Sequence, residues 1–167
     1  GHTEHDSTVL GAFDAARSSS TRFGTNAPTG ITDPRPILAE MRLIKNDAEI
    51  EVLREACRIS AVAHTEAMRF AAPGRTERQV AAALKYVFGV MGSERIGYGS
   101  IVAGGENACI LHYVENDQPL NDGDLLLIDA AAEYRHFTAD ITRTFPINGT
   151  FSAPQRAVYE LVLDAEQ

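Results

Sequence analysis

Two aspartates stand where strands should bury apolar side chains. Asp129 closes the run Leu125-Leu126-Leu127-Ile128, and Asp140 interrupts Phe137-Thr138-Ala139-Asp140-Ile141-Thr142-Arg143-Thr144-Phe145. With Tyr134-Arg135 at the tip of a hairpin, Asp129 and Asp140 become direct cross-strand partners. Opposed residues have Cβ atoms about 4.5–5.5 Å apart, and like charges there destabilise a sheet. A divalent cation between them turns repulsion into coordination, and carboxylate oxygens suit hard ions such as Mn²⁺, Mg²⁺ or Ca²⁺. The other reading sends one aspartate to solvent or pairs it with Arg135 or Arg143. Spacing alone leaves both readings open.

His112, in the strand-like run Ile110-Leu111-His112-Tyr113, also has two readings. It is a satisfied, half-buried strand residue, or it is a polar group beside the carboxylates that donates to a developing oxyanion. His64 falls on the apolar face of a long helical pattern and is assigned to packing, while His2, His5 and His136 are assigned to solvent. Cys57 and Cys109 have neither an adjacent base nor metal or redox spacing, which argues against a thiol nucleophile. Both are expected to be reduced and buried in a cytoplasmic protein. Gly104-Gly105-Glu106-Asn107 lacks the spacing of nucleotide-binding glycine loops and reads as a tight turn.

The elements that must position these residues follow from periodicity. Val9, Leu10, Phe13 and Ala16 mark a short amphipathic helix over 6–17 that stops at Ser18-Ser19-Ser20, and the Pro- and Gly-rich stretch 21–36 reads as a linker. Asn46 and Glu49 form a capping box ahead of a long helix with Ile50, Leu53, Cys57, Ala61, His64 and Met68 on one face, ended by Pro73-Gly74. Thr76 and Gln79 open a second helix through Val80, Leu84, Val87, Phe88 and Met91, with a flexible exit at Gly89, Gly92 and Gly97. Four strands are expected, at 101–102, 109–114, 125–129 and 137–145, followed by a helix capped by Ser152 with Gln155. That last helix reads as cut before its natural stop. The order is that of an α+β fold with antiparallel hairpins rather than alternating βαβ units.

Composition bounds the function. The chain has 167 residues, 44% hydrophobic and 23% charged, enough to bury a core. Its net charge of -8 disfavours nucleic acid and anionic membranes as partners. Its apolar runs are too short for a membrane span or a secretory leader, which again points to the cytoplasm.

Three stretches, IVAGGENACILHY (101–113), DGDLLLIDAAAEY (122–134) and TADITRTFPINGTFSAPQ (138–155), resemble the first half of the catalytic domain of the Xaa-Pro aminopeptidases, or aminopeptidase P, among the pita-bread metallopeptidases. EMRLIKNDAEIEVLREA (40–56) is similar to the helix that opens that domain, and Asp33-Pro34-Arg35-Pro36 to the link from a separate N-terminal domain. The resemblance implies two regions. Residues 1–36 would be the terminal helix and linker of the N-terminal domain, and 37–167 the first half of a pita-bread fold. It further implies that Asp129 and Asp140 ligate a two-metal centre, usually manganese, with Asp140 in the bridging place. His112 would contact substrate and steady the tetrahedral intermediate, and the substrates would be peptides with proline at position two.

The family's other ligands, one His and two Glu, follow an HGxxH-type and a VEPG-type segment, neither of which occurs in these 167 residues. The isolated chain is therefore expected to be inactive. It would need a complementary C-terminal half, or a second copy in a homodimer, to cover its sheet. The alternative is a non-catalytic half-domain acting as an assembly or peptide-binding module. Where the family often has Gly, Tyr and Gly, this chain has His136, Phe137 and Ala139, so a stiffer strand and one lost phenolic hydrogen bond are expected.

Overall fold

The computed structural model describes residues 4–23 and 28–166. The chain divides into two compact units, Gly1–Ile44 and Lys45–Gln167.

In the first unit, α1 (Glu4–Phe23) is longer than its apolar pattern suggests. The serines expected to end it instead bond back along the helix, Ser18 Oγ to the Asp14 carbonyl at 2.9 Å and Ser19 Oγ to that of Ala16 at 3.1 Å. α2 (Arg35–Leu43) begins inside the expected linker, with Pro34 as its N-cap. Pro36 is tolerated because a first-turn residue needs no intrahelical donor. The stretch similar to one domain-opening helix thus contains two helix segments, broken between Leu43 and Asp47.

The second unit opens with α3 (Asp47–Phe70) and α4 (Glu77–Val90), each started by the capping box expected of it. The buried stripe of α3 is Ala56, Ile59, Ser60, Ala63, His64 and Ala67, so Cys57, Ala61 and Met68, expected on the packed face, are exposed. Small side chains let this helix approach the sheet closely. The apolar pattern alone favoured Cys57 and Met68, each bulkier than the buried alanine one position before it. On α4, Val80, Leu84 and Phe88 are buried as expected.

Six strands follow: β1 (Arg95–Ile96), β2 (Ile101–Gly104), β3 (Leu125–Asp129), β4 (Ala132–Tyr134), β5 (Phe137–Thr138) and β6 (Thr142–Pro146). They form two antiparallel sheets ordered β1-β4-β5 and β2-β3-β6. A final helix, α5 (Ala153–Glu166), is tied to the turn before β3 by Gln155 Nε2 donating to the Gly123 carbonyl at 2.9 Å. Helices and sheets share a core that includes Ile59, Val80, Leu84, Phe88, Val102, Leu126 and Ile128. Each large side chain buried there contributes about 1.5–3 kcal/mol.

Two expected strands differ. Residues 109–114 form no strand: Gly105–Cys109 is a 3₁₀ turn and the chain after it is irregular. The expected strand 137–145 breaks at Ala139-Asp140-Ile141, where the chain crosses from one sheet to the other. Gly97, read as part of a flexible helix exit, is instead a point of close approach. A Cβ there would overlap the Thr138 methyl, and its amide donates to the Ala131 carbonyl at 2.8 Å.

Candidate metal centre

β3 alternates as the pleat requires, with Leu126 and Ile128 in the core and Leu125, Leu127 and Asp129 on the other face. This explains an aspartate at the end of an apolar run. The hairpin turns at Arg135-His136, one residue later than expected, with both residues at positive φ (47° and 68°). Such φ values are what a two-residue primed turn demands, and its usual Asn-Gly signature is absent. Asp129 consequently pairs with Thr142 rather than with Asp140.

The two carboxylates nevertheless converge. The Tyr98 hydroxyl donates to Asp129 Oδ1, and the same hydroxyl oxygen lies 3.2 Å from Asp140 Oδ1. Burial first, then the bond to Asp129, pushes the Tyr98 phenol well above its ordinary range, so it stays protonated as a donor. Asp140 reaches this place because the strand break lifts it out of the ladder. Neither arginine claims the aspartates: Arg143 Nη1 donates to the Thr142 carbonyl at 2.7 Å, and Arg135 lies over the Tyr134 ring at 5.5 Å. Phe137 carries no phenol, and the one that reaches the pair comes from Tyr98.

α3 fixes the backbone between the aspartates. His64 Nε2 donates to the Ala130 carbonyl at 2.9 Å, and Ser60 Oγ accepts from the Ala132 amide at 2.9 Å. Burial holds the imidazole below its ordinary pKa, and Nδ1 has no partner among the described residues. His64 is therefore more than packing. Tyr98 and Ser60 were not singled out in the sequence. For Tyr98, the only local sign is the pair of glycines around it, of which Gly97 lets the backbone run close to Thr138 of β5.

His112 is exposed, on irregular backbone at φ 57°, rather than half-buried in a strand. The described residues contain no group of three His, Cys, Asp or Glu side chains placed to hold a metal ion. Asp129 and Asp140 are two oxygen donors of the kind hard divalent ions take, and hard ions need six or more. The residues present fit a metal as part of a shell. His136 is solvent-exposed as expected, His5 is exposed on α1, and His2 lies outside the described residues. Cys57 and Cys109 are free but exposed, against the expectation of burial: Cys57 is on the outer face of α3 and Cys109 ends the 3₁₀ turn. No described helix is long and apolar enough to cross a membrane.

An α+β unit with paired aspartates at a sheet junction is matched, over residues 51–167, by the model of metallopeptidase family M24. The chain belongs to that family. Among its relatives is the Xaa-Pro aminopeptidase of Haemophilus influenzae, 53% identical over 137 residues that cover 82% of this chain and 32% of the relative. Proline aminopeptidase P II from Yersinia pestis has the same fold, with TM-score 0.88 and 48% identity, covering 98% of this chain and 38% of that one. Zinc-substituted Escherichia coli aminopeptidase P in complex with product gives TM-score 0.89 at 44% identity, covering 98% of this chain and 37% of that one. The α+β fold thus matches part of the aminopeptidase P pita-bread fold. The chain spans about a third of the length of these relatives.

Proposed function

We propose that this chain is the first half of the catalytic domain of a dinuclear-metal Xaa-Pro aminopeptidase, which hydrolyses the bond between an N-terminal residue and a proline in second place. The observation that carries the reading is the convergence of Asp129 and Asp140 on the Tyr98 hydroxyl. In this proposal residues 1–36 end an N-terminal domain and 37–167 form the half-domain. Asp129 and Asp140 would be two of the residues that hold the metal, which would be manganese. Bound divalent ions supply Lewis-acid polarisation of the scissile carbonyl and lower the pKa of water to the neutral range.

The chain's own residues have defined tasks. Asp129 and Asp140 present oxygens from backbone that α3 immobilises, and the Tyr98 proton keeps their Oδ1 atoms together. His112 meets the substrate and donates to the oxyanion that develops as the carbonyl is attacked. A protein nucleophile has no place in this scheme.

The ligand shell is completed from outside these residues, by a complementary C-terminal half or by a second copy whose aspartates join these. The surface supports a covering partner. Val158, Leu161 and Val162 on α5 are each more than 60% exposed. Val158 and Val162 line a groove shared with Thr142 and Thr144 of β6. Such apolar exposure marks an interaction face. Unpaired thiols fit a reducing cytoplasm.

The test is peptidase activity on an Xaa-Pro peptide in excess Mn²⁺. The 167-residue chain alone should show negligible turnover, addition of the complementary half should restore it, and Asp140→Asn should abolish the restored activity. Substantial turnover by the homogeneous chain alone contradicts the incomplete shell. Peptide binding without turnover in the reassembled protein favours the non-catalytic module.

A further inference from the structure

The side chain of Glu77, the first residue of α4, is fully buried. An isolated buried carboxylate is costly, and this one is satisfied in full. Its Oε1 accepts from the Gly104 amide at 2.9 Å and Asn107 Nδ2 at 2.9 Å. Its Oε2 accepts from the Tyr113 hydroxyl at 2.7 Å and the Gln118 amide at 3.0 Å. One donor is the last residue of β2, and the other three, at 107, 113 and 118, span the stretch after it that carries His112. The Glu77 amide adds a bond to the Gln118 carbonyl at 3.0 Å.

This segment needs holding. His112 and Asn116 both lie at positive φ, 57° and 48°, a conformation that costs a non-glycine residue energy and persists only where surroundings enforce it. Tyr113, next to His112, is buried against Ile101 and Ala103 on the outer face of β2. Burial and the bond to Glu77 push its phenol up to about 12, so it remains a donor across the neutral range.

We infer that Glu77 is a positioning residue: its buried carboxylate gathers Gly104, Asn107, Tyr113 and Gln118 and thereby fixes the strained turn that presents His112. This rests on the role proposed for His112, but the positioning is measurable without it. Glu77→Gln keeps the volume and one acceptor oxygen, and it turns an N–H₂ toward the Gln118 amide, two donors face to face. The experiment is NMR and amide hydrogen exchange on the 167-residue chain.

In Glu77→Gln the His112 ring resonances should move to the values of an unstructured histidine and exchange at 105–118 should rise at least tenfold. Amides of β3, β6 and of Ala132, which donates to Ser60, should keep their protection. Unchanged His112 signals overturn the inference, as does loosening spread equally over β3 and β6. Should Glu77→Gln fail to fold, Tyr113→Phe, which removes a single donor, must show the same local loosening in smaller degree; none would contradict the inference. In a reassembled, active enzyme, Glu77→Gln should lower kcat with little change in KM. If the loop loosens and no peptidase activity ever appears, the positioning stands and the proposed function falls.

Discussion

The residues proposed to act together are held by opposite means. Asp129 sits at the end of a strand paired on both sides, to Ile101 and to Thr142, and α3 pins the backbone just beyond it through His64 and Ser60. His112 sits on a segment with no ladder of its own, held by hydrogen bonds to a buried carboxylate and by Asn116, whose Oδ1 accepts from the Val102 amide at 2.7 Å. Disturbing the strand region should therefore cost global stability. Disturbing the loop should cost local order first, because few apolar contacts depend on it.

The contrast can be broken at several points. Ile128→Ala removes a fully buried side chain beside Asp129 and should lower unfolding free energy by about 2–5 kcal/mol in urea titrations, loosening Asp129 with it. A loss below about 1 kcal/mol would mean the strand is not what holds the aspartate. Gly97→Ala forces a methyl against Thr138 and the Ala131 carbonyl and should cost about 1–3 kcal/mol. Its signature is displacement of the Tyr98 ring resonances, and a Tyr98 signal that stays in place would show that β5 can yield.

Asn116→Ala should be the mirror case. It leaves the Val102 amide and the Ser100 carbonyl without their partner, at about 1–3 kcal/mol, and raises exchange at 105–118 before anything changes in β3 or β6. Equal loosening of both regions would erase the distinction.

The smallest effect is a slope. Burial holds His64 below its ordinary 6.5, with the nearby Arg143 charge acting the same way and Asp129 opposing it. On acidification the unfolded chain therefore takes up this proton before the folded one, and stability falls as pH drops through His64's ordinary 6.5. His64→Gln keeps an N–H donor and should flatten that part of the melting-temperature profile. A slope unchanged by the substitution would assign the acid sensitivity to other groups.

The same contrast explains what could be read in the sequence. Both capping boxes, the buried α4 stripe and the strand ending at Asp129 were legible, because period and cap chemistry are local. The proximity of Asp129 and Asp140 was legible from two charges in apolar runs, although by the wrong register. Arg135-His136 forms its turn without the residues that usually announce one, and the chain changes sheets at Asp140 with no glycine or proline to mark the break. The His112 segment was misread as a strand because Cys109-Ile110-Leu111-His112-Tyr113 has strand composition while its conformation is set from Glu77, more than 30 residues earlier. Glu77 itself reads as an ordinary first-turn acid. Its burial depends on four donors that only the tertiary fold assembles.

A Mn²⁺ titration of the ¹⁵N-labelled 167-residue chain tests most directly whether Asp129 and Asp140 form a cation-binding pair. Paramagnetic broadening should begin at Tyr98, Asp129 and the residues around Asp140, with an affinity of roughly 10⁻⁴–10⁻³ M or weaker for so few ligands. It should vanish from these positions in Asp140→Asn. Broadening centred elsewhere, such as on Asp122 and Asp124, or broadening at the pair that Asp140→Asn leaves intact, would contradict the claim.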